Sequence, residues 1–281
     1  SPRADAGGKS YPSCSRESQS IEHDIRSFPP GVGSRGRSPA QGADTGQVST
    51  GFFRQAGAPR VFRRKLCYTT RAMLDPRPLI VEVCHLLAAR TFTTATGGNV
   101  SARLPDDTAW VTPSRLHKAR VTAEDLVRVT LDGTPVEGAR SASSETPMHL
   151  AMYRALPEAG AIIHAHPPAA TGFAQANRAI DTRSSSEATV ILGPEVPLIP
   201  YARPSTDALA TLVGASMRPD RRAYLMAQHG VLTWGADLWD AYDILDTLEI
   251  FTMSLLVSTL IGGAAPLPPE ELAWLARKVG G

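Results

Sequence analysis

Ala161-Ile162-Ile163-His164-Ala165-His166-Pro167-Pro168 decides how this chain is read. An apolar run stopped by two prolines is a strand that ends where they begin, because proline lacks the backbone donor that a central strand needs. Alternate residues of a strand point to one face, so the imidazoles of His164 and His166 lie side by side and can reach one ion. Binding sites in layered α/β folds gather at such strand ends. The plain structural alternative is one strand-capping histidine beside one core histidine.

Outward from this stretch, helical and strand periodicities alternate. Leu79, Ile80, Val83, Leu86 and Leu87 recur at helical spacing, which predicts a helix from about Pro76 to Arg90. Residues 99–103 and 109–112 are strand candidates joined by the turn residues Pro105-Asp106-Asp107. Thr122 and Asp125 have the spacing of a capping box, and residues 126–131 alternate toward the turn Asp132-Gly133. Further helices are expected at 145–156, 168–177 and 205–217, with strands at 189–192, 196–199 and 223–226. The segment 236–261 carries Leu238, Ala241, Tyr242, Leu245, Leu248 and Met253 at mostly helical spacing. Its end is nearly all apolar, so it is expected to meet both the core and another subunit. Pro266, Pro268 and Pro269 break it, and a short helix is expected over 270–278. The alternation indicates a mixed α/β fold without giving the sheet direction.

Three other clusters can do chemistry. Ala227-Gln228-His229-Gly230 ends another short apolar strand, and glycine there permits close approach. Imidazoles from His164, His166 and His229 would suit Zn²⁺, leaving a fourth position for a carboxylate, water or substrate. Ser143-Ser144-Glu145 stands at a helix start, where hydroxyls and free N–H groups favour an anion and a carboxylate can be held near a metal. A helix cap with an acidic first turn is the simpler reading. His149 shares that helix face and is read as a packing or supporting residue. Gly97-Gly98-Asn99 and Thr112-Pro113-Ser114 are turns whose small residues and hydroxyls can cradle a phosphate.

The chain of 281 residues is electrically uneven: residues 1–72 hold 12 Lys/Arg against 5 Asp/Glu, and the rest holds 17 against 22. The first part is rich in Ser, Gly, Pro and Arg without periodicity, too polar to offset its ordering entropy. Residues 1–72 are therefore expected to be a disordered basic extension, upstream of the working protein that starts at Met73. Cys14, Cys67 and Cys84 have no metal-ligand spacing and suggest no disulfide framework, which makes a reducing cytoplasm the expected location. No apolar run reaches the roughly 18 residues of a membrane span, so no membrane partner is expected. Nucleic-acid binding is not expected either, because the folded part is net acidic.

Together, Gly-Gly-Asn-Val-Ser-Ala-Arg (97–103), Thr-Pro-Ser (112–114), Ser-Ser-Glu-Thr-Pro-Met-His (143–149), His-Ala-His-Pro (164–167) and Gln-His-Gly-Val (228–231) resemble the class II aldolase/adducin family. The resemblance covers roughly residues 76–260, and its ordered set of motifs is specific for the family, far less for a substrate. It implies that residues 73–281 form a three-layer α/β/α domain with a central, largely antiparallel sheet, assembled as a homotetramer with sites between subunits. It implies further that His164, His166 and His229 bind Zn²⁺, one ion per subunit, with Glu145 a fourth ligand at rest and the acid/base in turnover. Gly98, Asn99, Ser114, Ser143 and Ser144 match positions that hold a substrate phosphate. Pro200-Tyr201-Ala202 with Thr206 resembles the segment whose tyrosine protonates the aldehyde oxygen from a neighbouring subunit, which makes Tyr201 a candidate acid.

The implied activity is Zn²⁺-dependent cleavage of a carbon–carbon bond in a small sugar phosphate through a metal-stabilised enediolate. Epimerisation of a pentulose phosphate, decarboxylation of a 3-oxo-tetronate phosphate and dehydration of a methylthioribulose phosphate are neighbouring outcomes. A non-catalytic adducin-like module is the reading from a different class. Two positions depart from the family pattern: Arg115 stands where Gly is frequent, and Gln228 replaces the commoner Asn.

Overall fold

The structure, a computed structural model, describes residues 75–279, with side chains as far as Arg277. The expected extension over 1–72 lies outside the described residues.

Its frame is an eight-stranded sheet. Strands β1 (Asn99–Arg103), β2 (Thr108–Val111), β3 (Val127–Thr130) and β4 (Pro135–Glu137) form one wing. Strands β5 (Ala161–Ala165), β8 (Leu198–Ile199), β9 (Ala223–Met226) and β10 (Gly230–Gly235) form the other, and a separate ribbon pairs β6 (Ile180–Asp181) with β7 (Glu195–Val196). The order is β4-β3-β2-β1-β5-β10-β9-β8, antiparallel except for the parallel β8/β9 edge pair. The quoted stretch is thus the central strand: β5 lies between β1 and β10, with Asn99 opposite His164 on one side and Leu232 opposite His164 on the other.

Helices cover both faces, which explains why every residue of β5 is buried. Helices α1 (Arg77–Ala89), α3 (Pro168–Gln175), α4 (Ser186–Leu192) and α6 (Leu238–Leu260) lie over the face carrying Val100, Ile163, Leu225 and Val231. Helices α2 (Thr146–Ala155) and α5 (Asp207–Ser216) lie over the face carrying Ile162, Tyr224 and Leu232. Helix α7 (Pro269–Val279) closes the described chain. This is the expected three-layer architecture with a mostly antiparallel sheet. No helix among the described residues is long and apolar enough to cross a membrane.

Two local expectations need correction. Residues 189–192, expected as a strand for their β-branched side chains, belong to α4, whose start is set by Ser185 accepting a hydrogen bond from the Ala188 amide. Burial of Ala188, Thr189 and Leu192 on one helical face overrides β-propensity there. Residues 196–199 are not one strand, because Pro197 separates β7 from β8 and the two pair in different sheets. The sequence reading also missed β10, whose six residues are all buried and show no alternation to signal a strand.

Candidate active site

The carboxyl end of β5, the β9–β10 turn, the start of β1 and the amino end of α2 meet on one side of the sheet. There the structure brings His164, His166 and His229 together, with one ligand atom of each lying within 4.8 Å of the others. His166 is placed by its amide, which donates to the Phe92 carbonyl at 2.7 Å, and by glycines on both sides. A Cβ on Gly97 would stand 2.9 Å from His166 Nδ1, and one on Gly230 would stand 2.4 Å from its Cδ2.

Glu145 occupies the N-cap position of α2 but caps nothing. Its carboxylate turns instead to the histidines, with Oε2 3.4 Å from His164 Nε2 and Oε1 3.2 Å from His229 Nε2. The Asn99 amide donates to Oε2 at 2.9 Å. Burial works against ionisation of Glu145, but positive charge at the position of the His164 and His229 rings, together with the Asn99 donor, holds the carboxyl well below its usual range.

His164 is fully buried, and burial drives its pKa well below the usual value despite the pull of Glu145. Burial, with His229 next, lowers His166 as well. Neutral imidazoles are what a metal requires.

The tautomer of His164 supplies a direct test of fit. Its Nδ1 lies 2.9 Å from the Val231 carbonyl oxygen, which can only accept, so Nδ1 carries the proton. The lone pair is then on Nε2, which is buried, has no hydrogen-bond partner and faces the Glu145 carboxylate. A lone pair set against an anion with no proton between them is repulsive, and a cation between them turns both contacts attractive. The donor set of three imidazoles and one carboxylate therefore fits a divalent ion, with Val231 fixing the orientation of one ligand.

Beside the histidines lies a cleft of about 230 Å³. Gly98, Asn99, Ser114, Ser143 and Ser144 line it together with Glu145 and His166, so the residues expected to hold a phosphate and the expected acid/base share one space. A larger groove of about 630 Å³ between α2 and α5 has no histidine in its walls. Gly98 has φ +70°, and a Cβ there would stand 2.9 Å from the His164 carbonyl oxygen, so glycine is required on both counts.

Tyr201 is not brought into this cleft and is 57 % exposed. Its loop is nevertheless tied to the site, since the Ser205 hydroxyl donates to that of Ser144 at 2.8 Å.

Sequence reasoning missed Lys118, which is 1 % exposed. Its ammonium donates to the Leu116 carbonyl at 3.2 Å and the Thr96 carbonyl at 3.4 Å, tying together the two loops whose Thr96 and Ser114 line the cleft. Nothing in its local pattern separates it from a solvated lysine. Both departures from the family pattern fall on left-handed backbone: φ is +57° at Arg115 and +56° at Gln228. Glycine or asparagine adopts this region readily, whereas other residues are strained there by on the order of 1 kcal/mol.

A model of the Class II Aldolase and Adducin N-terminal domain matches residues 79–253. The methylthioribulose-1-phosphate dehydratase of Gluconobacter oxydans (strain 621H) is 33 % identical over 185 residues, covering 60 % of this chain and 86 % of that protein. The 5-deoxy-D-ribulose 1-phosphate aldolase of Bacillus thuringiensis serovar kurstaki is 32 % identical over 206 residues, covering 73 % and 95 %. Among solved structures, an L-fuculose 1-phosphate aldolase superposes with a TM-score of 0.67 at 28 % identity, covering 75 % of this chain and 99 % of that one.

Proposed function

We propose, from the premise that this chain belongs to the class II aldolase and adducin family, that residues 73–281 are a Zn²⁺-dependent lyase acting on a ketose 1-phosphate. The observation that carries this reading is the Glu145 carboxylate set between His164 and His229 at the edge of a cleft lined by Gly98, Asn99, Ser114, Ser143 and Ser144. The two curated relatives are named for 1-phosphates of ribulose derivatives, which supports that substrate class.

His164, His166, His229 and Glu145 would hold the ion. Bound there, Zn²⁺ would supply Lewis acidity to the substrate's keto and hydroxyl oxygens. Gly98, Asn99, Ser114, Ser143 and Ser144 bind the phosphate oxygens and fix the substrate's register. Glu145, ionised and aimed by Asn99, accepts a proton at a carboxylate oxygen. In the addition direction that proton leaves the carbon beside the ketone, whose electron pair forms the carbon–carbon bond, while Tyr201 of a neighbouring subunit donates a proton to the aldehyde oxygen. Aldol cleavage runs the same transfers backwards: Tyr201 takes the hydroxyl proton as the carbon–carbon bond breaks, the bonding pair passes to the carbon beside the ketone, and Glu145 returns a proton to that carbon.

Dehydration is the second reading, favoured by the relative of that name at 33 % identity. Glu145 then takes the proton from the carbon beside the ketone, and hydroxide leaves from the next carbon. A non-catalytic module is disfavoured, because a carboxylate set against buried His164 and half-buried His229, with His166 beside them, is an unfavourable grouping that metal ligation relieves.

The working unit we infer is a cytoplasmic homotetramer. Ile250, Met253, Val257, Leu260 and Ile261 leave an exposed apolar stripe at the end of α6, with Leu260 and Ile261 each 80 % exposed, and a partner subunit would cover it.

The deciding experiment follows zinc-loaded protein by NMR with a panel of ketose 1-phosphates and 3-oxo sugar acid phosphates. Release of dihydroxyacetone phosphate selects the aldolase. Loss of water selects the dehydratase, and epimerisation or carbon dioxide release selects the other family reactions. No turnover of any substrate would overturn the lyase reading.

A further inference from the structure

We propose that Arg115 is a specificity-determining residue that pairs through its guanidinium with the substrate's phosphate, a role that rests on the sugar-phosphate reading above. Arg115 lines the cleft beside Ser114, Ser143 and Ser144. It is exposed, and among the described residues its side chain makes no hydrogen bond or ion pair.

Its backbone makes the placement costly to keep. An arginine at φ +57° adopts a conformation that glycine adopts without strain, and such outliers persist only where the surroundings over-determine them. The surroundings here do so. The Ser114 amide donates to the Ser141 carbonyl at 3.0 Å, Pro113 bridges to Ala142, and buried Lys118 holds the Leu116 carbonyl at 3.2 Å. The loop is clamped on both sides of a strained, exposed residue that lines the cleft.

The charge around the cleft says what that side chain meets. Its polar walls, from Gly98, Asn99 and the three serines, are neutral donors, and Glu145 is an anion that repels a phosphate. Lys118 lies beneath the walls with its protons directed at two carbonyls. Arg115 is therefore the one permanently charged cation among the residues lining the cleft. Its planar fork matches two phosphate oxygens at once, which a glycine-lined turn cannot do.

The test measures binding of inorganic phosphate, and of acetate as a carboxylate control, to the full chain and its Arg115→Gly and Arg115→Lys variants, with and without zinc to separate binding at the metal. Arg115→Gly is expected to weaken phosphate at least tenfold in both conditions, with Arg115→Lys intermediate. Its Tm is expected to be unchanged or raised, because glycine relieves the strained φ, which a structural role for Arg115 would not produce. Equal phosphate affinity in Arg115→Gly and the parent would overturn the proposal while leaving the sugar-phosphate reading intact. A larger loss for acetate than for phosphate would also overturn it, assigning Arg115 to a carboxylate. A parent that neither binds phosphate nor turns over any sugar phosphate would overturn both.

Discussion

Gly230 backs directly onto His166: a Cβ at Gly230 would stand 2.4 Å from the imidazole Cδ2 and 2.6 Å from the Ala165 carbonyl oxygen. The second contact is with backbone of the central strand, so it cannot be relieved by swinging a side chain aside. Gly230→Ala is therefore expected to displace His166 and weaken zinc binding about 10- to 100-fold, the range seen when a ligand's support is disturbed. Zinc competition with a chromogenic chelator measures this, and parental affinity in the variant would remove His166 from the ligand set.

Glu145 is expected to be needed more for turnover than for the metal. Glu145→Gln preserves the shape and leaves three imidazoles, so the variant should still bind zinc near stoichiometry. Its kcat should fall by about 10²- to 10⁴-fold, the usual contribution of a positioned acid/base. Metal analysis beside steady-state rates separates the two effects, and a variant with near-parental kcat would rule out the acid/base role.

Acid should destabilise the metal-free protein over a defined window. Burial pushes His149 down to about 4 from an ordinary 6.5, against the pull of Glu145. Between those values the unfolded chain binds a proton that the folded chain refuses. The stability associated with the neutral ring is thus complete above about pH 6.5 and is lost as pH falls toward 4, at roughly 1.4 kcal/mol per pH unit for each such proton. His164 and His166 add to the same trend, so the specific test is His149→Asn, which titrates nowhere in the range. Urea denaturation at several pH values should show a slope shallower by about one proton; an unchanged slope would mean that His149 is protonated in the folded state.

Lys118 should control the shape of the cleft without taking part in proton transfer. Lys118→Met fills similar space but leaves the carbonyls of Thr96 and Leu116 without their donor, a loss of about 1–3 kcal/mol for buried groups. The cleft walls loosen, so KM for the sugar phosphate should rise several-fold with kcat changed less, and zinc content should be unaffected. A fall in kcat with KM unchanged would contradict this assignment.

Charge placed on the apolar end of α6 should break the assembly. Val257 is 58 % exposed and Leu260 80 % exposed in the single chain, and Val257→Glu with Leu260→Glu would bury charge in the inferred contact. Light scattering after size exclusion should show a shift from tetramer to smaller species, with zinc retained and kcat reduced because Tyr201 is no longer supplied by a neighbour. A parent protein that is already monomeric would discard both the tetramer and the role of Tyr201.

Much of this was legible in sequence, for local reasons. The stretch 161–168 announces a buried strand with two same-face histidines, because the strand period and the two prolines are local properties. The order of helices and strands largely follows from periodicity, and the small residues of the Gly97–Gly98 turn mark a close approach that the structure places against the His164 backbone. Residues 189–192 were misread because β-branched composition is local, whereas the cap at Ser185 and the buried face that make them helical depend on what packs against them.

Tertiary structure alone decided which chemistry meets which. Gly98, Asn99, Ser114, Glu145, His164 and His229 come from loops and element ends spread over more than a hundred residues, and only the register β1-β5-β10 sets Asn99 beside His164 and the His229 turn next to both. The tautomer of His164 depends on a carbonyl 67 positions away, and the burial of Lys118 on two loops closing over it. Local sequence specifies which dihedrals and faces each segment prefers. Which side chains share a desolvated volume, and so which are charged, neutral or left unpaired, is settled only when the segments pack.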